Sequence, residues 1–93
     1  MKEAVIVSTA RTPIGRAYKG ALNATHGPTM AGWAIREAVK RSGVDPAEVD
    51  DVIMGCAMPQ GTTGLNIGRL AALAGGLPVT VSGMTIDRQC SSV

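Results

Sequence analysis

Between residues 31 and 39 the apolar side chains Ala31, Ala34, Ile35, Ala38 and Val39 fall at i, i+3, i+4, i+7 and i+8, the spacing of a single helix face. Pro28 suits the first turn of such a helix, where its missing N–H costs nothing, and Gly43 suits the cap beyond its last turn. What flanks this helix limits the fold further. Ala4 to Val7 is a continuous apolar, partly β-branched run closed by Thr12-Pro13 and Gly15, and it reads as a buried parallel strand. Val52-Ile53-Met54, ending at Gly55, reads as a second strand, entered through a capped single turn made by Asp45, Pro46 and Glu48. Ile67, Leu70, Ala71 and Ala74 mark another helical face, stopped by Gly75-Gly76 and then Pro78. Val79 to Ile86 follows as a third strand, and Cys90-Ser91-Ser92 is placed to open a third helix. The order strand, helix, strand, helix, strand defines an α/β chain of βαβαβ type with right-handed crossovers. In such a chain the reacting groups belong at the carboxyl ends of the strands.

The core available to this fold is built from small side chains. Trp33 and Tyr18 are the only aromatic residues, so Ala, Val, Ile, Leu and Met must fill the interior. Nine basic against seven acidic residues give a net charge of +2, with no basic cluster and no aromatic interleaving, which argues against a nucleic-acid face. The apolar run after Met1-Lys2-Glu3 ends by Ser8, too short for a signal-peptide core or a membrane span. Two cysteines, Cys56 and Cys90, and one histidine, His26, provide neither a disulfide framework nor a metal-ligand set, so no metal is expected and a reducing cytoplasm is the default location.

Cys90 is the candidate nucleophile. It follows a strand and precedes a helix start, where backbone N–H groups and the local dipole favour a thiolate. Taken alone, a cysteine at such a place also fits a small buried hydrophobe. Cys56, next to Gly55, has no neighbour in sequence that would activate it and reads as a packing residue. The two form no Cys-x-x-Cys pair, which argues against a thiol redox protein. His26, beside Gly27-Pro28, reads as a surface or capping residue, and Ser91 and Ser92 read as helix-start caps. Arg88 reads as the partner of a structural ion pair with another element. Arg11, Arg16 and Arg69 occupy turn or helix-start positions and read as structural. Gly61, Gly64 and Gly68 are loop and helix-entry residues whose spacing matches no phosphate-cradling motif.

The run Thr85-Ile86-Asp87-Arg88-Gln89-Cys90-Ser91-Ser92 resembles the active-site region of the thiolases, whose signature is roughly Asn-Arg-x-Cys-x-Ser-Gly. Asp87 stands where that family has Asn, and Val93 where it has Gly. The likeness extends along the whole chain in the family's order. Ala4 to Arg16 is similar to the thiolase opening, a strand followed by an Arg-Thr-Pro-x-Gly loop. Asp45 to Asp50 and Gly55 to Gly61 are similar to the second-strand region, and Leu65-Asn66-Ile67-Gly68-Arg69 to an Asn-x-x-Arg helix start.

The resemblance implies that residues 1–93 are the opening portion of a thiolase N-terminal domain, incomplete as it stands, and that Cys90 is the nucleophile. In the family that cysteine takes an acyl group from a 3-ketoacyl-CoA and passes it to a second coenzyme A. A histidine in a Gly-His-Pro motif, a second cysteine in a Cys-x-Gly-Gly motif and an Asn-Glu loop assist, and none of these motifs occurs here. The implied function is thus that of an acyltransferase completed by further thiolase segments. It would use acyl-CoA and coenzyme A as substrates, no permanently bound cofactor and no nucleic-acid or membrane partner, and it would work as a homo-oligomer. No cofactor-binding residue is assigned within this stretch. A non-catalytic thiolase-like binding or assembly module is the alternative, separated from the first reading by whether Cys90 accepts an acyl group.

Overall fold

A computed structural model describes residues 2–92; the Val93 departure from the family motif lies outside them. The helix anticipated from the 31–39 periodicity runs from Gly27 to Ser42 (α1). His26 sits at its N-cap, exposed and without a side-chain capping bond, and its carbonyl accepts from Met30 N at 3.1 Å. Pro28 lies in the first turn, and Gly43 closes the helix with φ 71°, a left-handed conformation that glycine adopts without Cβ strain. The turn expected at Asp45 is a 3-10 helix over Pro46–Glu48, and the Asp45 side chain accepts from Ala47 N at 3.0 Å.

Asp51–Gly55 (β1) and Ser82–Ile86 (β2) form a two-stranded parallel sheet, with Asp51 opposite Ser82 and Gly55 opposite Ile86. Between them Ile67–Ala74 (α2) packs on both strands and on α1. Asn66 caps α2 by accepting from Arg69 N at 3.2 Å. The same side chain fastens the helix to the sheet, donating to Gly83 O at 2.9 Å and accepting from the Thr85 hydroxyl at 2.8 Å, while Thr85 Oγ1 in turn accepts from Gly68 N at 3.0 Å.

Two expectations need correction. Ala4 to Val7 forms no strand: Val5, Ile6 and Val7 are 72%, 88% and 65% exposed, and no ladder partner faces them among the described residues. A strand exists only through its neighbour's hydrogen bonds, and an apolar run cannot provide that neighbour by itself. The segment is instead tethered through Arg41 Nη1, which donates to Thr9 O at 3.1 Å. The final strand is also shorter than Val79–Ile86. Pro78 to Val81 is a turn, closed by Val81 N on Pro78 O at 3.1 Å, and the Arg69 guanidinium donates to the carbonyls of Val79 and Val81. Those carbonyls are taken before a sheet can use them, and Arg69 is structural, as its position suggested.

The core matches the composition. Ala72, Leu77 and Val81 are buried together, with Ile35, Val39, Val49 and Val52 packed around them, and Val81 is the largest fully buried side chain. With so little side-chain bulk the layers come close at glycines. A Cβ on Gly32 of α1 would lie 2.9 Å from the Ala74 carbonyl carbon of α2, and one on Gly83 of β2 would lie 2.7 Å from Arg69 Cα. Among the described residues no helix is long and apolar enough to cross a membrane.

Candidate active site

β1 and β2 run in parallel, so their carboxyl ends share one edge of the sheet, and both cysteines follow those ends in sequence. Cys56 follows β1 directly, and its N–H extends the ladder to Ile86 O at 2.9 Å. Its side chain is half-buried in an apolar pocket of about 360 Å3 whose walls include Met30, Ala31, Met54 and Ile67. That surrounding suits the packing role read from the sequence.

Cys90 lies beyond β2, exposed, in a 3-10 turn over Gln89–Ser91. The third helix expected to open at Cys90-Ser91-Ser92 is represented by this single turn among the described residues. Its N–H groups are used internally: Ser91 N donates to Arg88 O and Ser92 N to Gln89 O, each at 3.1 Å. Ser92 acts as a turn cap, accepting from Arg88 N and donating to Gln89 O, both at 2.8 Å. Ahead of the thiol, the Asp87 carboxylate accepts from Gln89 N at 2.9 Å. Arg88 forms no ion pair among the described residues, where the ion pair is Glu37 with Arg41 at 2.9 Å within α1, so the structural pairing expected of Arg88 is not made.

Sequence reasoning took Gly55 for a strand terminator and missed its second role. A Cβ on Gly55 would overlap the Ser92 carbonyl, so the Cys90 turn rests directly on the end of β1. A glycine closing a strand was the available signal, since such residues often mark close backbone approach. The carboxyl edge of the sheet therefore carries one exposed cysteine on a turn seated against the end of β1, and a second, half-buried cysteine that directly follows β1.

The profile of the family described as "Thiolase, N-terminal domain" matches residues 4–93. The chain belongs to the thiolase family. It is 46% identical to the 3-ketoacyl-CoA thiolase of Bacillus subtilis, over 99% of this chain and 24% of that protein. It is also 46% identical to the 3-oxoadipyl-CoA/3-oxo-5,6-dehydrosuberyl-CoA thiolase of Escherichia coli, over 99% of this chain and 23% of that protein. Among solved structures, the acetyl-CoA acetyltransferase of Bacillus anthracis superposes with a TM-score of 0.83 at 50% identity, covering 95% of this chain and 22% of that one. The chain thus spans about a quarter of the length of the thiolases it matches, and the α/β class read from its punctuation is that of its family.

Proposed function

We propose that this chain is the N-terminal part of a 3-ketoacyl-CoA thiolase or acetyl-CoA acetyltransferase and that Cys90 is its acyl-accepting nucleophile. The observation that carries the reading is the exposed thiol on a turn at the carboxyl edge of a parallel sheet, in a chain that matches the thiolase N-terminal domain along its length. In the degradative direction the Cys90 thiolate forms a C–S bond to the 3-keto carbon of a 3-ketoacyl-CoA. The bond between carbons 2 and 3 then breaks, and its electron pair passes to the departing acetyl-CoA enolate, which takes a proton. The thiol of a second coenzyme A loses its proton and attacks the acyl-cysteine, and Cys90 leaves as thiolate. Covalent capture replaces one difficult step by two easier ones. This stretch contributes the nucleophile and the strand ends beneath it. The proton-transferring groups belong to further thiolase segments, coenzyme A enters as substrate rather than resident cofactor, and the working unit is a cytoplasmic homo-oligomer.

The test is acyl capture in the intact enzyme. After exposure to an acyl-CoA, peptide mass mapping should find the acyl group on Cys90, Cys90→Ala should abolish capture and turnover, and Cys56→Ala should leave both largely unchanged. Equal loss from the two substitutions would mean that the nucleophile is misassigned. Normal acyl-CoA binding with no acyl-cysteine in the unaltered protein would favour a non-catalytic thiolase-like module.

A further inference from the structure

The backbone just before the thiol is held in an uncommon conformation. Gln89 has φ 53°, in the left-handed region that non-glycine residues rarely occupy, and it immediately precedes Cys90. Nothing in a glutamine favours that conformation, so its surroundings must hold it there. The structure provides one such holder. Asp87 Oδ1 accepts from Gln89 N at 2.9 Å and from Gln89 Nε2 at 3.2 Å, so the main chain and side chain of one residue converge on one oxygen. Oδ2 is more distant from Gln89 Nε2, at 3.4 Å. Ser92 Oγ closes the far side of the turn between Arg88 N and Gln89 O.

We infer that Asp87 is a positioning residue for Cys90: its carboxylate oxygen pins Gln89 in the left-handed conformation and so sets the direction in which the next residue presents its thiol. The inference rests on Cys90 being the nucleophile, as proposed above. Asp87 acts through geometry and need not touch substrate. Because both donors converge on Oδ1, the clamp needs one acceptor oxygen rather than a negative charge, and an asparagine carbonyl would serve. A glycine at position 89 would adopt the same backbone without any clamp.

These requirements define a test in the intact enzyme, reading kcat and KM for acyl transfer from an acyl-CoA. Asp87→Ala should lower kcat about tenfold or more with KM little changed, because the reacting atom is displaced while the binding surface stays. Asp87→Asn should keep kcat within about twofold of the unaltered enzyme, and adding Gln89→Gly to Asp87→Ala should restore most of the loss. A loss of stability alone would lower the amount of folded enzyme and leave kcat per folded enzyme unchanged, so kcat is taken per folded enzyme, with chemical denaturation of each variant run beside the kinetics. Unchanged kcat in Asp87→Ala, a loss in Asp87→Asn as deep as in Asp87→Ala, or failure of Gln89→Gly to rescue would each overturn the assignment. Cys90→Ala in parallel separates the two claims. If it is inactive while Asp87→Ala is normal, only the positioning role falls; if it retains acyl transfer, the nucleophile assignment falls and takes the positioning role with it.

Discussion

The Asn66 side chain makes three hydrogen bonds to groups on two elements. It caps α2 through Arg69 N, receives the Thr85 hydroxyl and donates to Gly83 O, so one amide joins the start of a helix to the middle of the strand that leads to Cys90. Its two ends can be tested separately. Asn66→Ala removes the cap and both links to β2 and should destabilise the intact protein by about 1–2 kcal/mol. Asn66→Asp keeps an oxygen for Arg69 N and Thr85 but loses the donor to Gly83, so it should fall between the two, about 0.5–1.5 kcal/mol below the unaltered protein. Chemical denaturation gives the order directly. If the aspartate variant is as unstable as the alanine one, the bond to Gly83 dominates and the cap contributes little.

Among the elements, α2 and β2 meet through glycines with no room between their backbones. A Cβ on Gly68, in the first turn of α2, would overlap the Met84 carbonyl, and the facing Gly83 leaves the same room from the strand side. Two effects oppose each other in Gly68→Ala. Alanine in a helix is ordinarily worth about 0.5–1 kcal/mol over glycine, whereas forcing extra volume into a closed contact costs about 1–3 kcal/mol. The clash is with backbone, which cannot rotate away, so the second effect should win and the variant should be less stable by about 1–2 kcal/mol in a denaturant titration. A variant at least as stable as the parent would show that α2 can lift off β2 at little cost. The same element scale explains the two strand errors. Helix and cap signals act within a few contiguous residues: Pro28 and Gly43 mark the ends of α1 and Gly75-Gly76 the end of α2, while the α2 start at Asn66 is marked by the thiolase-like Asn-x-x-Arg. A strand depends on which distant carbonyls and amides are free, and Arg69 claims those of Val79 and Val81.

As a whole, the chain closes poorly on itself. Its accessible surface is 6979 Å2, against roughly 5000 Å2 for a compact monomer of 93 residues. Among the described residues the buried hydrophobic side chains are Ile67, Ala71, Ala72, Leu77 and Val81, while Val5, Ile6, Val7 and Ile53 stand mostly exposed. So few buried apolar side chains leave little hydrophobic stabilisation to set against the conformational entropy of ordering the chain. The polypeptide of residues 1–93 alone should therefore associate, its sedimentation coefficient and unfolding midpoint both rising with protein concentration. A monomeric, cooperative and concentration-independent transition would contradict this. The same polypeptide should not turn over a 3-ketoacyl-CoA, because the Gly-His-Pro histidine and the Cys-x-Gly-Gly cysteine that assist the thiolase reaction do not occur in it; thiolysis at an intact enzyme's rate would overturn that expectation.

The sequence by itself determined whatever is decided over a few adjacent residues. The 31–39 periodicity with its Pro28 and Gly43 limits defined α1, Asp45-Pro46 defined the capped turn, and the apolar run before Gly55 defined β1. It also determined that Cys90 follows the last strand, because strand, turn and thiol are contiguous there. Only the tertiary structure decided which apolar run would pair, since a ladder needs a partner's backbone groups within reach. Ala4 to Val7 meets none among the described residues, and β2 begins at Ser82 rather than Val79. It alone decided that Gly55 would give way to Ser92 and that Asp87 would hold Gln89 left-handed ahead of the thiol. Those features arise where segments meet or where a turn is held by side chains, and propensity along the chain carries no term for either.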